Sequence, residues 1–255
     1  MKKITFRRLP QRLALVGIVA LVALGALIPA TAFAASTQLQ RTKCGVNDLK
    51  CVITAGDTLI ANRLKALDTL NSKIAIDLSQ HKITSDQASA LQSDVSTNKT
   101  GLNTLKSKLD AETVTKDARQ DVASIFTQFR IYAVVLPRDY RHLEMDIEIN
   151  AQNVMQKVAP TIKNAISSAP ADKQTKLNDL YSDYTKQVAA AQSQIASAQN
   201  DFPALTPANF NQNRSSFEST RQALDNALKQ ARTDLHQAAK DLRQMASILG
   251  IQVKA

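Results

Sequence analysis

Residues 177–202 read LNDLYSDYTKQVAAAQSQIASAQNDF, and their apolar positions decide the fold. Leu177, Tyr181, Tyr184, Val188, Ala191, Ile195, Ala198 and Phe202 follow one another in steps of four and three. That is the spacing of one face of an α-helix, whereas a strand, alternating every second residue, would scatter the same side chains over both faces. Pro170 stands just ahead of the run, where a proline suits the first helical turn. The chain then turns at Phe202-Pro203-Ala204-Leu205, and Thr206-Pro207 supplies a cap followed by proline. The pattern resumes at Phe210, in steps of seven through Phe217 to Leu224 and then of four and three through Leu228, Ala231, Leu235, Ala238, Leu242, Met245 and Leu249, until Gly250 stops it. The spacing predicts a C-terminal helical hairpin over 170–250.

Leu228, Leu235, Leu242 and Leu249 also repeat every seven residues, the pattern of a zipper that would build a homodimer. Ala231 and Ala238 alternate with those leucines, and Ala191 and Ala198 lie on the preceding helix. Close packing within one chain satisfies the same stripe, so a monomer is favoured over a homodimer.

Toward the N-terminus the same logic gives a second hairpin over 52–110. Ile53, Ile60, Leu67 and Ile74 repeat every seven residues, with Leu64 and Leu78 in the complementary positions, and the helix is expected to end near Gln80-His81-Lys82. Thr84-Ser85-Asp86-Gln87 reads as a capping box that opens the next helix. Ala88, Leu91, Val95, Leu102, Leu105 and Leu109 form its buried stripe, interrupted at Asn98 and Gly101. A central segment over 115–167 is less regular. Val122, Ile125, Phe126 and Phe129 suggest a third helix, but Ile131–Leu136 is a short β-branched run, and Leu143–Ile149 alternates apolar with acidic residues as a half-buried strand does. A hairpin turning at Pro137-Arg138-Asp139 competes with a helix through Leu143, Ile147, Asn150 and Val154. A lone ribbon is marginally stable, so the helix is favoured, with Pro160 kinking or breaking it. The fold class expected is all-α: an elongated antiparallel bundle of coiled-coil hairpins, about five helices.

Composition agrees. Beyond residue 34 the glycines are Gly45, Gly56, Gly101 and Gly250, too few for the tight turns of sheets and phosphate loops. Residues 1–34 have their own character. Lys2, Lys3, Arg7, Arg8 and Arg12 precede an apolar run from Leu13 to Ile28, and Ala32-Phe33-Ala34 ends in small residues at the positions that a signal peptidase reads. The expectation is a secretory signal over 1–34 cleaved before Ala35, and a mature protein that is periplasmic, cell-surface or extracellular in a bacterium. Arg7-Arg8 alone does not make a twin-arginine signal, and the first mature residue is Ala35, not a lipid-bearing cysteine. Five of the 32 Lys and Arg residues lie in the signal while all 22 acids lie beyond it, so 27 bases face 22 acids and the mature charge is +5. That charge suits an anionic cell-wall polymer or peripheral contact with lipid headgroups, and is also an ordinary solubility charge.

Residues 35–51 read as a flexible lead-in that holds Cys44 and Cys51, the only cysteines. Export into an oxidising compartment makes a disulfide the expected state, whereas two thiols with no His nearby supply too few ligands for a metal.

Reaction chemistry is not announced. His81, His142 and His236 stand on separate segments without an HExxH pair, no Ser lies in a GxSxG turn, and no phosphate loop is present. Glu144 and Glu148 share a helical face as solvated residues commonly do. Asn98-Lys99-Thr100 matches a glycosylation sequon of the kind that arises by chance. No catalytic residue, cofactor or metal is expected, and the protein is read as not an enzyme. One cluster stands out: Phe126–His142 holds four aromatic residues with Arg130, Arg138 and Arg141. Aromatic rings and planar guanidinium forks are what binding surfaces use, which makes Arg130, Tyr132, Arg138, Tyr140 and Arg141 a candidate surface. The competing reading has Phe126, Phe129 and Val134–Leu136 filling the core, the arginines reaching out to water.

The runs ITSDQASALQSDV (83–95), LNTLKSKLDAET (102–113) and IFTQFRIYAVVLPRDYR (125–141) resemble a group of exported, predominantly helical bacterial proteins without an established activity, over about residues 50–145. The resemblance implies a bacterial origin and a helical fold, and transfers no catalytic residue. The functional expectation is an exported, non-catalytic envelope or secreted protein acting through surface binding or structural contacts, with an envelope protein or wall polymer as partner and no nucleic acid. The alternative is an envelope chaperone or assembly factor that holds unfolded clients.

Overall fold

The computed structural model describes residues 44–251, so the predicted signal (1–34) and the lead-in before Cys44 lie outside the described residues. The protein is all-α: among the described residues there is no strand. The helices are α1 (Leu49–Ser79), α2 (Ser85–Asp110), α3 (Thr115–Ser124), α4 (Leu136–Ser167), α5 (Ala171–Asp201), α6 (Pro207–Gln212) and α7 (Arg214–Ile248). No described helix is long and apolar enough to cross a membrane.

Two compact units divide these helices. The first takes described residues 44–147 and 197–228, the second 148–196 and 229–251. The division falls inside α4, α5 and α7 rather than between the predicted hairpins, because each long stripe serves two cores in succession.

In the first unit α1 begins earlier than the seven-residue repeat suggested. Asp48 accepts a hydrogen bond from the Cys51 amide at 2.9 Å and caps the helix, so Cys51 sits in its first turn and a disulfide ties it back to Cys44. Ile60, Leu67 and Ile74 are fully buried, Ile53, Leu64 and Leu78 only partly so. The capping box at Thr84 is present in both directions: Gln87 N–H donates to Thr84 Oγ1 at 3.3 Å, and Thr84 N–H to Gln87 Oε1 at 2.8 Å. Every residue predicted for the α2 stripe is buried. Gly101, which interrupts that stripe, has a packing reason: a Cβ there would lie 2.6 Å from Cε1 of Phe129, so only glycine lets the ring settle on the helix.

After α3 the backbone widens into two successive π-helical turns, Ile125–Phe129 and Ile131–Val135, separated by Arg130 in the left-handed region (φ 42°). An L-residue there costs about 1–2 kcal/mol. The apolar run that looked like a strand is thus helical. Val134, Val135 and Leu136 are buried, and the apolar–acidic alternation of Leu143–Ile149 arises because Asp146 and Glu148 are themselves buried on α4. Pro160 does not break α4, which continues to Ser167. Its exposed position leaves the carbonyl without its usual i+4 donor on the water side.

The second unit packs α4, α5 and α7 around Met155, Leu177, Tyr184, Leu235 and Met245. Tyr184 is completely buried, and its hydroxyl donates to the Met155 carbonyl at 2.6 Å. Leu228, Leu235 and Leu242 are buried within the chain, which accounts for the zipper-like repeat. The predicted last helix is two helices. Asn213 leaves helical geometry (φ −149°, ψ 90°) and accepts from the Ser216 amide at 3.0 Å, so α6 carries Phe210 and α7 starts afresh at Arg214. Gly250, at φ 69°, closes α7 while Ile251 N–H reaches the Ala246 carbonyl at 2.9 Å.

Candidate functional site

The Phe126–His142 segment enters the first unit through the π-helical turns, which re-aim its side chains onto neighbouring helices. Arg130 donates through Nε to Asn211 Oδ1, lies 4.5 Å from the ring centroid of Phe210, and Asn211 in turn donates to the Thr127 carbonyl at 2.6 Å. Tyr132 donates its hydroxyl to the Asn62 carbonyl at 3.0 Å. Its ring and that of Phe126 hold Arg63, 5.0 and 4.8 Å from the two centroids. Arg63 is buried, its Nη1 donates to the Leu59 carbonyl at 2.8 Å, and burial pulls its pKa below the usual arginine value. The two rings supply the electron-rich faces that a desolvated guanidinium requires.

On α4 the arginines turn inward. Arg138, only 15% exposed, bridges Asp94 of α2 and the neighbouring Asp139, whose Oδ1 lies 2.8 Å from its Nε. Arg141, 20% exposed, forks onto both oxygens of Asp225 and donates to the Pro137 carbonyl at 2.8 Å. Asp225 also receives Arg221 at 2.8 Å, and Arg221 reaches Glu218 at 2.7 Å. Tyr140 is half-buried, and that burial pushes its hydroxyl pKa up. Arg130, Tyr132, Arg138 and Arg141 therefore point at four different partners within the unit, and Arg138 and Arg141, instead of reaching out to water, pin α4 to α2 and α7.

One turn further along α4 the seam stays polar. Gln87 donates to Asp146 Oδ1 at 3.1 Å, and His142 Nε2 stands 3.9 Å from Asp146 Oδ2, its ring 4.5 Å from that of Phe202. Burial pushes Asp139 up to about 7 despite Arg138 beside it, and Asp146 up to about 6 despite the bond from Gln87. Burial and the Arg138 charge pull His142 down. Glu148, expected on a solvated face, is fully buried in the second unit. Its Oε1 lies 3.4 Å from Arg232 Nε, and burial raises it to about 8. These groups have pKa values suited to proton transfer but are enclosed between packed helices. Among the described residues no group of three His, Cys, Asp or Glu is placed to hold a metal. A surface cavity of about 490 Å³ lies instead against the disulfide loop, lined by Val46, Thr115, Lys116, Arg119 and Ala123 among others. The sequon is inside α2, with Asn98 Nδ2 donating to the Asp94 carbonyl at 2.9 Å.

A second feature is electrostatic, and sequence reasoning missed it because it depends on which charges are paired. In the first unit Lys73 and Lys82 meet Asp77, Lys99 meets Asp68, Lys106 meets Asp57 and Asp110, and Lys108 meets Asp121. The second unit differs. Lys157, Lys163, Lys173, Lys176, Lys186, Lys229, Lys240 and Arg243 are all exposed, and among the described residues none of them makes an ion pair. Only Asp172, Asp179 and Asp183 are exposed there as acids, because Glu148, Asp234 and Asp241 are buried. In the first unit Lys50, Lys65, Lys116, Arg119 and Arg214 are also exposed without an ion pair among the described residues, but Asp48, Asp68, Asp86 and Asp110 are exposed with them, so the excess of exposed cations over exposed acids is larger in the second unit. No protein-family model, curated protein or solved structure matches the chain.

Proposed function

We propose that the chain is an exported bacterial protein that works by non-catalytic surface contact with anionic components of the cell envelope. The uneven distribution of charge between the units carries this reading: among the described residues of one unit, eight exposed cations without an ion pair face three exposed acids. In the other, many cations are met by ion pairs, and the exposed Lys50, Lys65, Lys116, Arg119 and Arg214 are offset by exposed Asp48, Asp68, Asp86 and Asp110. Unpaired surface cations attract polyanions over roughly a Debye length, about 8–10 Å at physiological salt, whereas paired ones largely cancel. The Cys44–Cys51 disulfide suits an oxidising compartment outside the cytoplasm. In this reading the Phe126–His142 cluster is scaffold, its arginines fastening helices together.

Co-sedimentation of the mature protein with washed bacterial envelopes tests the proposal. Retention at about 20 mM salt and release by about 500 mM is the expected result, since screening removes surface attraction. Protein that stays in the supernatant at low salt refutes it. A client-holding role has less support: among the described residues the exposed large apolar side chains are Val46, Ile76 and Val114, well short of a gripping surface. Suppression of aggregation at a stoichiometric ratio would reverse that judgement.

A further inference from the structure

Residues 230–236 and 237–243 read QARTDLH and QAAKDLR, two copies of Gln-Ala-x-x-Asp-Leu-basic in register with the helix. Each position of the repeat has a fixed place on α7. Ala231, Leu235, Ala238 and Leu242 face the core. The two acids, Asp234 and Asp241, are buried as well, and each is held by a neutral amide one turn earlier: Gln230 Nε2 to Asp234 Oδ1 and Gln237 Nε2 to Asp241 Oδ1, both 2.9 Å. The outer line consists of Lys229, Thr233, His236, Lys240 and Arg243, stepping by four and three, and all are exposed.

On an ordinary solvated helix, acids one turn away pair with such lysines and cancel their charge. Lys106, shared between Asp57 and Asp110, shows that arrangement in the first unit. On α7 the repeat withdraws the acids beneath the surface, where a glutamine bonds one oxygen of each and Asp241 Oδ2 is left without a partner among the described residues. No acid of α7 between Lys229 and Arg243 is therefore exposed beside the basic line, although the Lys240 charge still acts on buried Asp241. At 1.5 Å per residue the line from Lys229 to Arg243 runs about 21 Å.

We infer that this face of α7 is a binding ridge for a linear polyanion of phosphodiester-linked units, the chemistry of a bacterial wall polymer. The inference rests on the envelope-contact reading above and gives it a site and a partner. A ridge one helix face wide matches a chain of regularly spaced charges. A bilayer surface is less suited, because membrane-lying helices insert apolar side chains beside their basic ones, and the exposed positions from Lys229 to Ser247 are all polar.

The experiment uses the full mature chain and purified poly(glycerol phosphate), with vesicles of phosphatidylglycerol in phosphatidylcholine as a parallel arm. Lys229→Gln, Lys240→Gln and Arg243→Gln are combined in one variant. Lys157→Gln, Lys163→Gln and Lys176→Gln, exposed cations of the same unit, form a control of equal charge. The ridge variant is expected to bind the polymer about tenfold or more weakly and to lower the logarithmic salt slope by about 2, as loss of three phosphate contacts requires. The control variant is expected to stay within about threefold of the parent protein. Equal losses in both variants overturn the ridge while leaving general anionic contact intact. Tighter binding to vesicles than to polymer overturns the proposed partner. A parent protein that sediments with envelopes yet ignores the polymer overturns this inference alone, and one that binds neither overturns the envelope reading too. All six positions are exposed, and unchanged melting of both variants confirms that the comparison is between folded proteins.

Discussion

Arg141 of α4 forks onto Asp225 of α7, Nε donating to one carboxylate oxygen and Nη2 to the other at 3.0 Å. Bidentate geometry, partial burial and a second cation on the same carboxylate distinguish this pair from a loose surface bridge, which contributes little. Asp225→Ala leaves Arg141 with the Pro137 carbonyl alone and is expected to cost about 1.5–3 kcal/mol. Arg141→Ala costs less, because Asp225 keeps Arg221. Urea unfolding measures both, and an unchanged midpoint for Asp225→Ala would show the pair to be energetically idle.

The pH dependence of stability follows from the buried carboxyls. Asp146, Asp139 and Glu148 are held at about 6, 7 and 8 by burial. Each keeps its proton in the folded state at pH values where the unfolded chain has released it. Between about pH 4 and 8 the folded state therefore binds more protons, and stability falls as pH rises through that window, then levels off. His142, pulled down, acts in the opposite sense below its ordinary value, so the decline is clearest above about pH 6.5. Glu148→Gln preserves the neutral form and is expected to flatten the decline above pH 6, raising the melting temperature at pH 8.5 by on the order of 5 °C. A steep decline that persists in this variant would place its origin elsewhere.

Much of the architecture was legible because α2, α5 and α7 bury apolar residues at steps of three, four and seven. The reading of α1 was incomplete for a physical reason. Its buried face runs Ile60, Arg63, Leu67, Leu70, Ile74, Asp77, and two of those residues are charged, so an apolar-only stripe passes over them. The step from Ile60 to Arg63 to Leu67 was the available signal. The central segment resisted because π-helical turns shift the phase of the helix. Its arginines read as surface residues because their acidic partners, Asp94 and Asp225, lie 44 and 84 residues away in the chain. Charge segregation was invisible for the same reason: composition counts charges, and only the fold pairs them.

Tyr184 tests the core of the second unit at one atom. Its hydroxyl is buried against the Met155 carbonyl, so Tyr184→Phe removes a single bond without opening a large cavity and is expected to cost about 1–2 kcal/mol. Leu235→Asp is harsher. It places an unpaired charge at a fully buried position, and a loss of about 3–5 kcal/mol is expected in thermal or urea unfolding. Near-native melting for Leu235→Asp would mean that the α7 seam is not packed as described.

The basic start, the apolar run and Ala32-Phe33-Ala34 carry the expectation of cleavage before Ala35. The 16 residues from Leu13 to Ile28 fall short of the roughly 20 that a spanning helix needs. N-terminal sequencing of exported material is expected to begin at Ala35, and a sequence starting at Met1 rules the cleavage out.

The Cys44–Cys51 bridge makes two linked claims, one about compartment and one about stability. Protein taken from its native compartment and alkylated without reduction is expected to show no free thiol, whereas two alkylated cysteines would argue against an oxidising location. The bridge closes a short loop across the start of α1, beside the Asp48 cap, and Arg119 of α3 holds the same loop through the Gly45 carbonyl at 2.7 Å. Replacing both cysteines by serine removes the loop constraint from the unfolded chain, an effect of about 2–3 kcal/mol. Because Asp48 and Arg119 remain, the loss is expected to appear as a lower unfolding midpoint with the helical content of the folded protein preserved. Circular dichroism read beside the urea midpoint checks both halves, and a drop in helical signal before any denaturant is added would show that the bridge is required to form α1.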